Sequence, residues 1–415
     1  MAIKKMGLVF IATCFLGLIF EPGRAHGSTK SDLFMSHGSD LPVAQTPPLV
    51  GICESFVAVH GYPCKEFKVK TQDGYVLTLH RIPEGRVKGS GKIRQPVLLQ
   101  HGILMDGMSW LLDSPDLSLG FVLADSGFDV WISNTRGTRW SRTHTSLDPI
   151  NPAFWAWSWD ELVEHDLPAL FDFVHSQTGQ KLDYVGHSLG TLMALASLSQ
   201  GKLVDQLKSA ALLSPIAYLS HMTTSIGQIA ARSFIGEITI WFGLAEFNPI
   251  GEAVATFLKA LCAYPGIDCY DLMSSFTGKN CCLNVSTIDL FLQYEPQSTS
   301  TKNLVHLAQT VRDGIIAKFD YGNSETNMKY YGQSKPPIYN MSSIPNDLPL
   351  FLSYGGQDAL SDVRDVELLL DNLKFHDGDK LTVQYIKDFA HADFVMGGSA
   401  KKIVYDALIA FFNRW

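Results

Sequence analysis

Three residues in the order serine, acid, histidine carry the most specific chemistry in the chain. Ser188 lies in Gly186-His187-Ser188-Leu189-Gly190, a match to the G-x-S-x-G pattern of a nucleophile elbow. The pentapeptide alone is weak, because glycine is a common residue. Its setting is specific. Lys181 to Val185 (KLDYV) reads as a strand, and Thr191 to Leu198 as a helix of small and apolar residues. The serine therefore falls on a strand–turn–helix junction. A turn that sharp leaves no room for a Cβ at the flanking glycines. It lifts the serine oxygen above the sheet edge, with helix N-terminal N–H groups behind it for a developing negative charge. The plain alternative is a tight glycine turn with an incidental serine.

A serine hydroxyl is a poor nucleophile until a base takes its proton. Tyr354-Gly355-Gly356-Gln357-Asp358 places an acid just after a strand over Leu348 to Tyr354. Phe389-Ala390-His391-Ala392-Asp393-Phe394 places a histidine just after the next strand, Leu381 to Ile386. One helix and one strand separate the two. Both side chains thus return to the C-terminal edge where Ser188 sits, the edge at which open α/β sheets bind ligands. The reading is Ser188 as nucleophile, His391 as general base and then acid, and Asp358 as the acid that holds the imidazole tautomer. Asp362 and Asp365 fall past the strand end, and Asp393 is too near His391 along the chain to reach round to its ring. The plain reading of Asp358 is a loop aspartate capping the next helix. His187, inside the elbow, reads as a packing residue, and His101, His144 and His165 as structural histidines. Two backbone N–H groups must bind the oxyanion. One is that of Leu189, after the nucleophile. The other is assigned to Ile103, because His101-Gly102-Ile103 after the strand ending at Gln100 lets the backbone approach closely.

Short apolar runs and helical stretches must position these groups. Phe67 to Lys70 and Tyr75 to Arg81 flank Asp73-Gly74, a hairpin signal. Pro96 to Gln100 (PVLLQ), Phe128 to Ser133 (FDVWIS) and Ala210 to Leu213 read as further strands, and Trp159 to Gln177 has helical periodicity. Non-alternating apolar strands are buried on both faces. Strands alternating with helices predict an α/β chain with a mostly parallel central sheet and helices on both faces. The alternation stops near Pro215 and resumes near Pro345. Residues 49–215 and 346–415 are read as two parts of one core, with 216–345 inserted as a helical cap or lid. The sheet pattern then gives a helix over Asp362 to Leu373 and a last one over Ala400 to Phe412.

The chain has 415 residues, 46% of them hydrophobic, enough for a large core. The formal net charge is −8 with Lys and Arg dispersed, which excludes nucleic acid as a partner. Lys4 and Lys5 precede an apolar run, Met6 to Phe20, closed by Glu21-Pro22-Gly23. The run is shorter than the roughly 20 residues a spanning helix needs, so residues 1–25 are read as a cleaved signal peptide and 26–48 as a flexible leader. No later stretch is long and apolar enough to span a bilayer. Cys14 lies in the signal; Cys53, Cys64, Cys262, Cys269, Cys281 and Cys282 remain. An even count in a secreted chain points to disulfides. Cys53 pairs with Cys64 by proximity, and the pairing of the other four stays open. Their spacing lacks the pattern zinc favours, so no metal is expected. Asn284 and Asn340 begin N-x-S sequons and are expected glycosylation sites. The destination is the exterior (apoplast) or a vacuole or lysosome.

The quoted motifs belong to a longer ordered set. It includes Gly61-Tyr62-Pro63-Cys64, Thr71-Gln72-Asp73-Gly74-Tyr75, Gln100-His101-Gly102-Ile103 and Asn134-Thr135-Arg136-Gly137-Thr138-Arg139-Trp140-Ser141. Phe154-Trp155-Ala156-Trp157-Ser158-Trp159-Asp160-Glu161 continues it. In these stretches the sequence resembles the acid lipase family, which includes gastric and lysosomal acid lipases, and within it the plant triacylglycerol lipase type. The resemblance implies an α/β-hydrolase fold with a cap, hydrolysis of neutral-lipid carboxylic esters, and no cofactor. It places the family's nucleophile, acid and base on Ser188, Asp358 and His391, and its oxyanion donors on Ile103 and Leu189. One departure is Leu189, where mammalian members carry glutamine; the donor there is main chain. The expected partner is a neutral lipid or lipid–water interface, and the sequence leaves the oligomeric state unknown. Phe234, Ile235, Ile238, Ile240, Trp241, Phe242 and Leu244 could form a mobile apolar surface over an acyl tunnel, or ordinary cap core. A secreted carboxylesterase or acyltransferase is the alternative function, and a non-catalytic binding protein on the same fold would need a broken triad.

Overall fold

Non-alternating apolar runs make the centre of a nine-stranded sheet. The computed structural model describes residues 51–87, 93–234, 236–237, 240, 243–249 and 269–415. The expected signal peptide and leader, Cys262, and Ile235, Ile238, Trp241 and Phe242 lie outside the described residues. The strands are β1 (Lys65–Lys70), β2 (Tyr75–Ile82), β3 (Pro96–Gln100), β4 (Asp129–Ser133), β5 (Thr143–His144), β6 (Leu182–His187), β7 (Leu207–Leu213), β8 (Glu246–Phe247), β9 (Thr299–Ser300), β10 (Leu350–Gly355) and β11 (Leu381–Ile386). The large sheet runs β1-β2-β4-β3-β6-β7-β10-β11, with β5 on β2. The β1–β2 hairpin and the β2–β4 pair are antiparallel. Every pair from β4 through β11 is parallel.

Alternate residues of the central strands feed two separate cores. Val97 and Leu99 of β3 join one cluster and Leu98 the other; Ala211 and Leu213 of β7 split from Ala210 and Leu212 in the same way. Each fully buried leucine contributes about 1.5–3 kcal/mol. Helices cover both faces, among them α1 (Leu119–Asp125), α2 (Leu167–Thr178) and α3 (Leu189–Ser199).

Register aligns the ends that matter. Gln100 pairs with Gly186, His187 with Leu213, Leu213 with Ser353, and Gly355 with Ile386. The loops leaving β3, β6, β10 and β11 therefore all start at one edge.

Between β7 and β10 the described chain adds no strand to the large sheet. It holds α4 (Ser225–Arg232), α5 (Cys269–Thr277), α6 (Val285–Tyr294), α7 (Thr301–Asp313), α8 (Ser324–Tyr331) and the small β8–β9 pair. The aromatic motif before α2 anchors this segment. Ser158 and Glu161 form a capping box, the indole of Trp159 stacks on His306 at 4.1 Å, and Asp160 accepts from Tyr339 Oη (2.6 Å) and Phe319 N (2.8 Å). Burial pushes Asp160 up to about 6. The last helices are α9 (Val363–Asn372), α10 (Asp393–Met396) and α11 (Asp406–Phe412).

Arg136, just past β4, joins the hairpin to the helical layer. Its buried guanidinium donates to Asp73 Oδ2 (2.6 Å) and to Asp166 Oδ1 from Nε (2.8 Å), and lies 3.8 Å from the centre of the Tyr75 ring. Arg136→Met leaves the buried Asp166 without its cation, which costs about 3–5 kcal/mol. Urea unfolding is expected to show that loss as a lower midpoint at unchanged slope; a loss under about 1 kcal/mol would show the network to be dispensable.

Candidate active site

The turn after β6 holds Ser188 in a conformation few non-glycine residues adopt, φ 54° and ψ −118°. Such a residue stores about 1–3 kcal/mol of strain and persists only where its surroundings fix it. The flanking glycines supply the room. A Cβ on Gly186 would sit 2.8 Å from the Gly190 carbonyl, and one on Gly190 would sit 2.5 Å from the Gln100 oxygen. Ser188 N donates to Leu213 O at 3.2 Å. Leu189 is the first residue of α3, so its N–H has no acceptor inside the helix.

Asp358 and His391 meet at the same edge. Nδ1 of His391 lies 3.0 and 3.1 Å from the two Asp358 oxygens. A carboxylate only accepts, so Nδ1 carries the hydrogen and Nε2 keeps a lone pair. Burial alone would raise the Asp358 carboxyl. The His391 interaction and the N–H groups of Leu360 and Ser361 outweigh burial and hold it below the usual carboxylate range. Ser188, Asp358 and His391 are all nearly covered, at 6%, 5% and 5% exposure.

Other sequence-derived residues take their places around this pair. His187 Nε2 donates to the His391 carbonyl at 3.0 Å, and burial lowers its basicity to about 3. His187 thus supports the loop that carries His391, a stronger role than packing. His101 accepts from Thr135 N at Nε2 (3.0 Å), and its Nδ1 lies 2.8 Å from Gly102 O; burial lowers its basicity. It pins the turn that carries Ile103. Asp393 accepts from the N–H groups of Ala390 (2.8 Å), Cys281 and Cys282 (3.1 Å each), so its carboxylate is committed away from the imidazole. Asp365 accepts from His221, and Asp362 caps α9.

A serine held at such a turn, at the sheet edge where a carboxylate orients an imidazole, suits acyl transfer from an ester. Residues 53–114 match the family described as a partial α/β-hydrolase lipase region, and residues 95–257 match the α/β-hydrolase fold family. Triacylglycerol lipase 2 of Arabidopsis thaliana is 62% identical over 367 residues, covering 88% of each chain. The chain belongs to the acid lipase family. Lysosomal acid lipase/cholesteryl ester hydrolase of Homo sapiens, 37% identical over 86% of this chain and 90% of its own, is a more distant member. A soluble variant of monoglyceride lipase from Saccharomyces cerevisiae aligns at a TM-score of 0.52 with 14% identity, over 85% of this chain and 98% of that one, and so shares the fold. As an acid lipase the chain is a serine ester hydrolase.

The lipase's chain between β7 and β10 grips the candidate site through contacts that no sequence motif marks. Thr277 O, at the end of α5, accepts from His391 N at 3.1 Å and Ala359 N at 3.3 Å, and Gly278 bridges to Asp358. The Tyr294–Gln297 stretch holds the turn after β3: Gln297 N donates to Leu104 O at 2.7 Å. Neither contact has a signal in the sequence, because the partners lie far apart along the chain. Cys53 is bonded to Cys64, and Cys281 to Cys282; the Cys269 side chain lies outside the described residues. Cys281, Cys282 and Asp393 cluster closely, but two sulfurs bonded to each other leave no thiolate for a metal. Asn284 and Asn340 are exposed. Of the apolar run 234–244, Phe234 (51%), Ile240 (39%) and Leu244 (43%) face solvent.

Proposed function

We propose that this acid lipase is a secreted triacylglycerol or neutral-lipid lipase working through Ser188, His391 and Asp358. The observation that carries the reading is the His391–Asp358 pair at 3.0 Å, on the strand edge where the strained Ser188 turn emerges. Ser188 Oγ attacks the ester carbonyl carbon and its proton passes to His391 Nε2. The N–H groups of Ile103 and Leu189 bind the oxyanion. Collapse expels the alcohol, which takes the proton from His391. Water then attacks the acyl-enzyme with His391 as base, releasing the fatty acid and restoring Ser188. Asp358 holds the tautomer and stabilises the imidazolium.

The neutral-lipid substrate is supported by the relatives named triacylglycerol lipase and cholesteryl ester hydrolase. The organisation we infer is signal peptide 1–25, leader 26–48, core 49–215 and 346–415, and cap or lid 216–345, with the exposed Phe234, Ile240 and Leu244 meeting the lipid interface. The Cys53–Cys64 disulfide supports passage through the secretory pathway, towards the exterior or a vacuole, with glycans on Asn284 and Asn340. No helix among the described residues is long and apolar enough to cross a membrane.

The test measures fatty acid release from a triolein emulsion and from a short soluble ester. Wild type is expected to release oleic acid, and Ser188→Ala none. Cleavage of the short ester alone would favour a carboxylesterase, and acyl transfer to an added alcohol without fatty acid release an acyltransferase. Either outcome overturns the lipase reading.

A further inference from the structure

The loop that presents Ile103 is strained and held from outside. Leu104 has φ 58°, a costly conformation for a leucine. The next residues find their partners in the segment after α6. Gln297 N donates to Leu104 O at 2.7 Å, and Asp106 N donates to Glu295 Oε1 at 3.0 Å. Gln297 Oε1 accepts from Arg139 N at 3.1 Å, and its Nε2 donates to Tyr294 O at 2.6 Å. Glu295 and Gln297 thus grip the turn from both sides of Pro296.

Glu295 is the odd member of this clamp. It is 2% exposed and Asp106 is fully buried. The charged groups facing Glu295 are Asp106 on the loop and Arg139 after β4. Arg139 Nε is committed to Asp106 Oδ2 at 2.7 Å, and its guanidinium lies 5.2 Å from the Tyr294 ring centre. One cation and one carboxylate already balance. A second buried carboxylate would have no counter-charge, and Glu295 Oε2 has no hydrogen-bond partner. Burial, and then the Asp106 charge, push the Glu295 carboxyl well above the usual range.

We propose that Glu295 is a positioning residue for the oxyanion loop, gripping it as an uncharged carboxylic acid and releasing it when rising pH ionises the group. This rests on the proposed role of the Ile103 N–H. Because folding favours the protonated form, the clamp is intact below the ordinary glutamate range. It is lost as pH rises through the elevated folded value. The glutamate then places two carboxylates beside a single guanidinium, and the strained Leu104 turn loses its support. Activity falls through kcat, because the N–H bond to the oxyanion is made in the transition state.

The test is the ratio of kcat/KM at about pH 8 to that at about pH 5 on a short soluble ester, with thermal midpoints recorded at both pH values. Glutamine keeps an oxygen to accept from Asp106 N and cannot ionise. Glu295→Gln is expected to raise the ratio about tenfold over wild type, part of the effect of losing one oxyanion donor. Asp106→Asn leaves Glu295 as the one carboxylate beside Arg139, so its ionisation no longer crowds the guanidinium and the alkaline fall is expected to disappear. Superimposable profiles for wild type and both variants would overturn the inference. Ser188→Ala, run alongside, separates the failures. If it is inactive while the profiles superimpose, Glu295 alone is misread; if it is active, the catalytic reading and this inference both fall.

Discussion

Replacing Ser188 with alanine is expected to lower kcat by roughly a millionfold, with KM and thermal stability little changed. In the proposed mechanism the hydroxyl oxygen bonds to the acyl carbon. The strain at φ 54° belongs to the backbone and is the same for alanine, so the fold gains and loses nothing large. A residual acceleration of about 10³–10⁴ over water is expected from the oxyanion donors and substrate binding alone. Single-turnover release of fatty acid from a soluble ester measures the effect. A loss under about a hundredfold would mean that Ser188 assists a reaction whose nucleophile lies elsewhere.

Asp358→Asn is expected to cost about 10⁴ in kcat. Asparagine retains an oxygen for the N–H groups of Leu360 (2.9 Å) and Ser361 (2.8 Å), so the loop keeps its shape. Its amide donates where the carboxylate accepted. His391 must then present a lone pair at Nδ1 and carry its hydrogen on Nε2, the wrong tautomer for taking a proton from Ser188. The wild-type pair should also persist in acid. Because the folded Asp358 carboxyl titrates below its ordinary range, its contribution is complete above the ordinary aspartate value. It is lost only as pH falls through the lower folded one. Rates of wild type and variant on one soluble ester check the prediction, and a variant within tenfold of wild type contradicts it.

The candidate site was legible because its three proposed residues sit at strand ends. Ser188, Asp358 and His391 each follow an apolar run by a few residues, and a parallel sheet sends such ends to one edge. The assigned bounds moved where a local cue misled. The helix is expected from Thr191, after the elbow's second glycine; the structure starts α3 at Leu189, with Gly190 in its first turn and Gln100 in the space a Cβ would take. Trp159 to Gln177 reads as one helix, yet Leu162–Asp166 winds as a π turn, a slip in the hydrogen-bond ladder that side-chain periodicity does not mark. Lys401–Tyr405 repeats the slip before α11. The seven residues of α1 enclose Gly120 and are almost wholly buried, so they show no amphipathic stripe to read. The grip on the oxyanion loop was invisible for another reason. Asp106 and Glu295 are 189 residues apart, and a buried carboxyl has no sequence pattern of its own.

Covalent trapping tests the central claim most directly. A long-chain p-nitrophenyl alkylphosphonate reacts with an activated serine, releasing p-nitrophenol and leaving a stable phosphonyl ester. Intact mass and peptide mapping after complete inactivation should show a single adduct, on the peptide containing Ser188, absent from Ser188→Ala and greatly slowed in Asp358→Asn. An adduct on another residue, or full inactivation with Ser188 unmodified, would contradict the account.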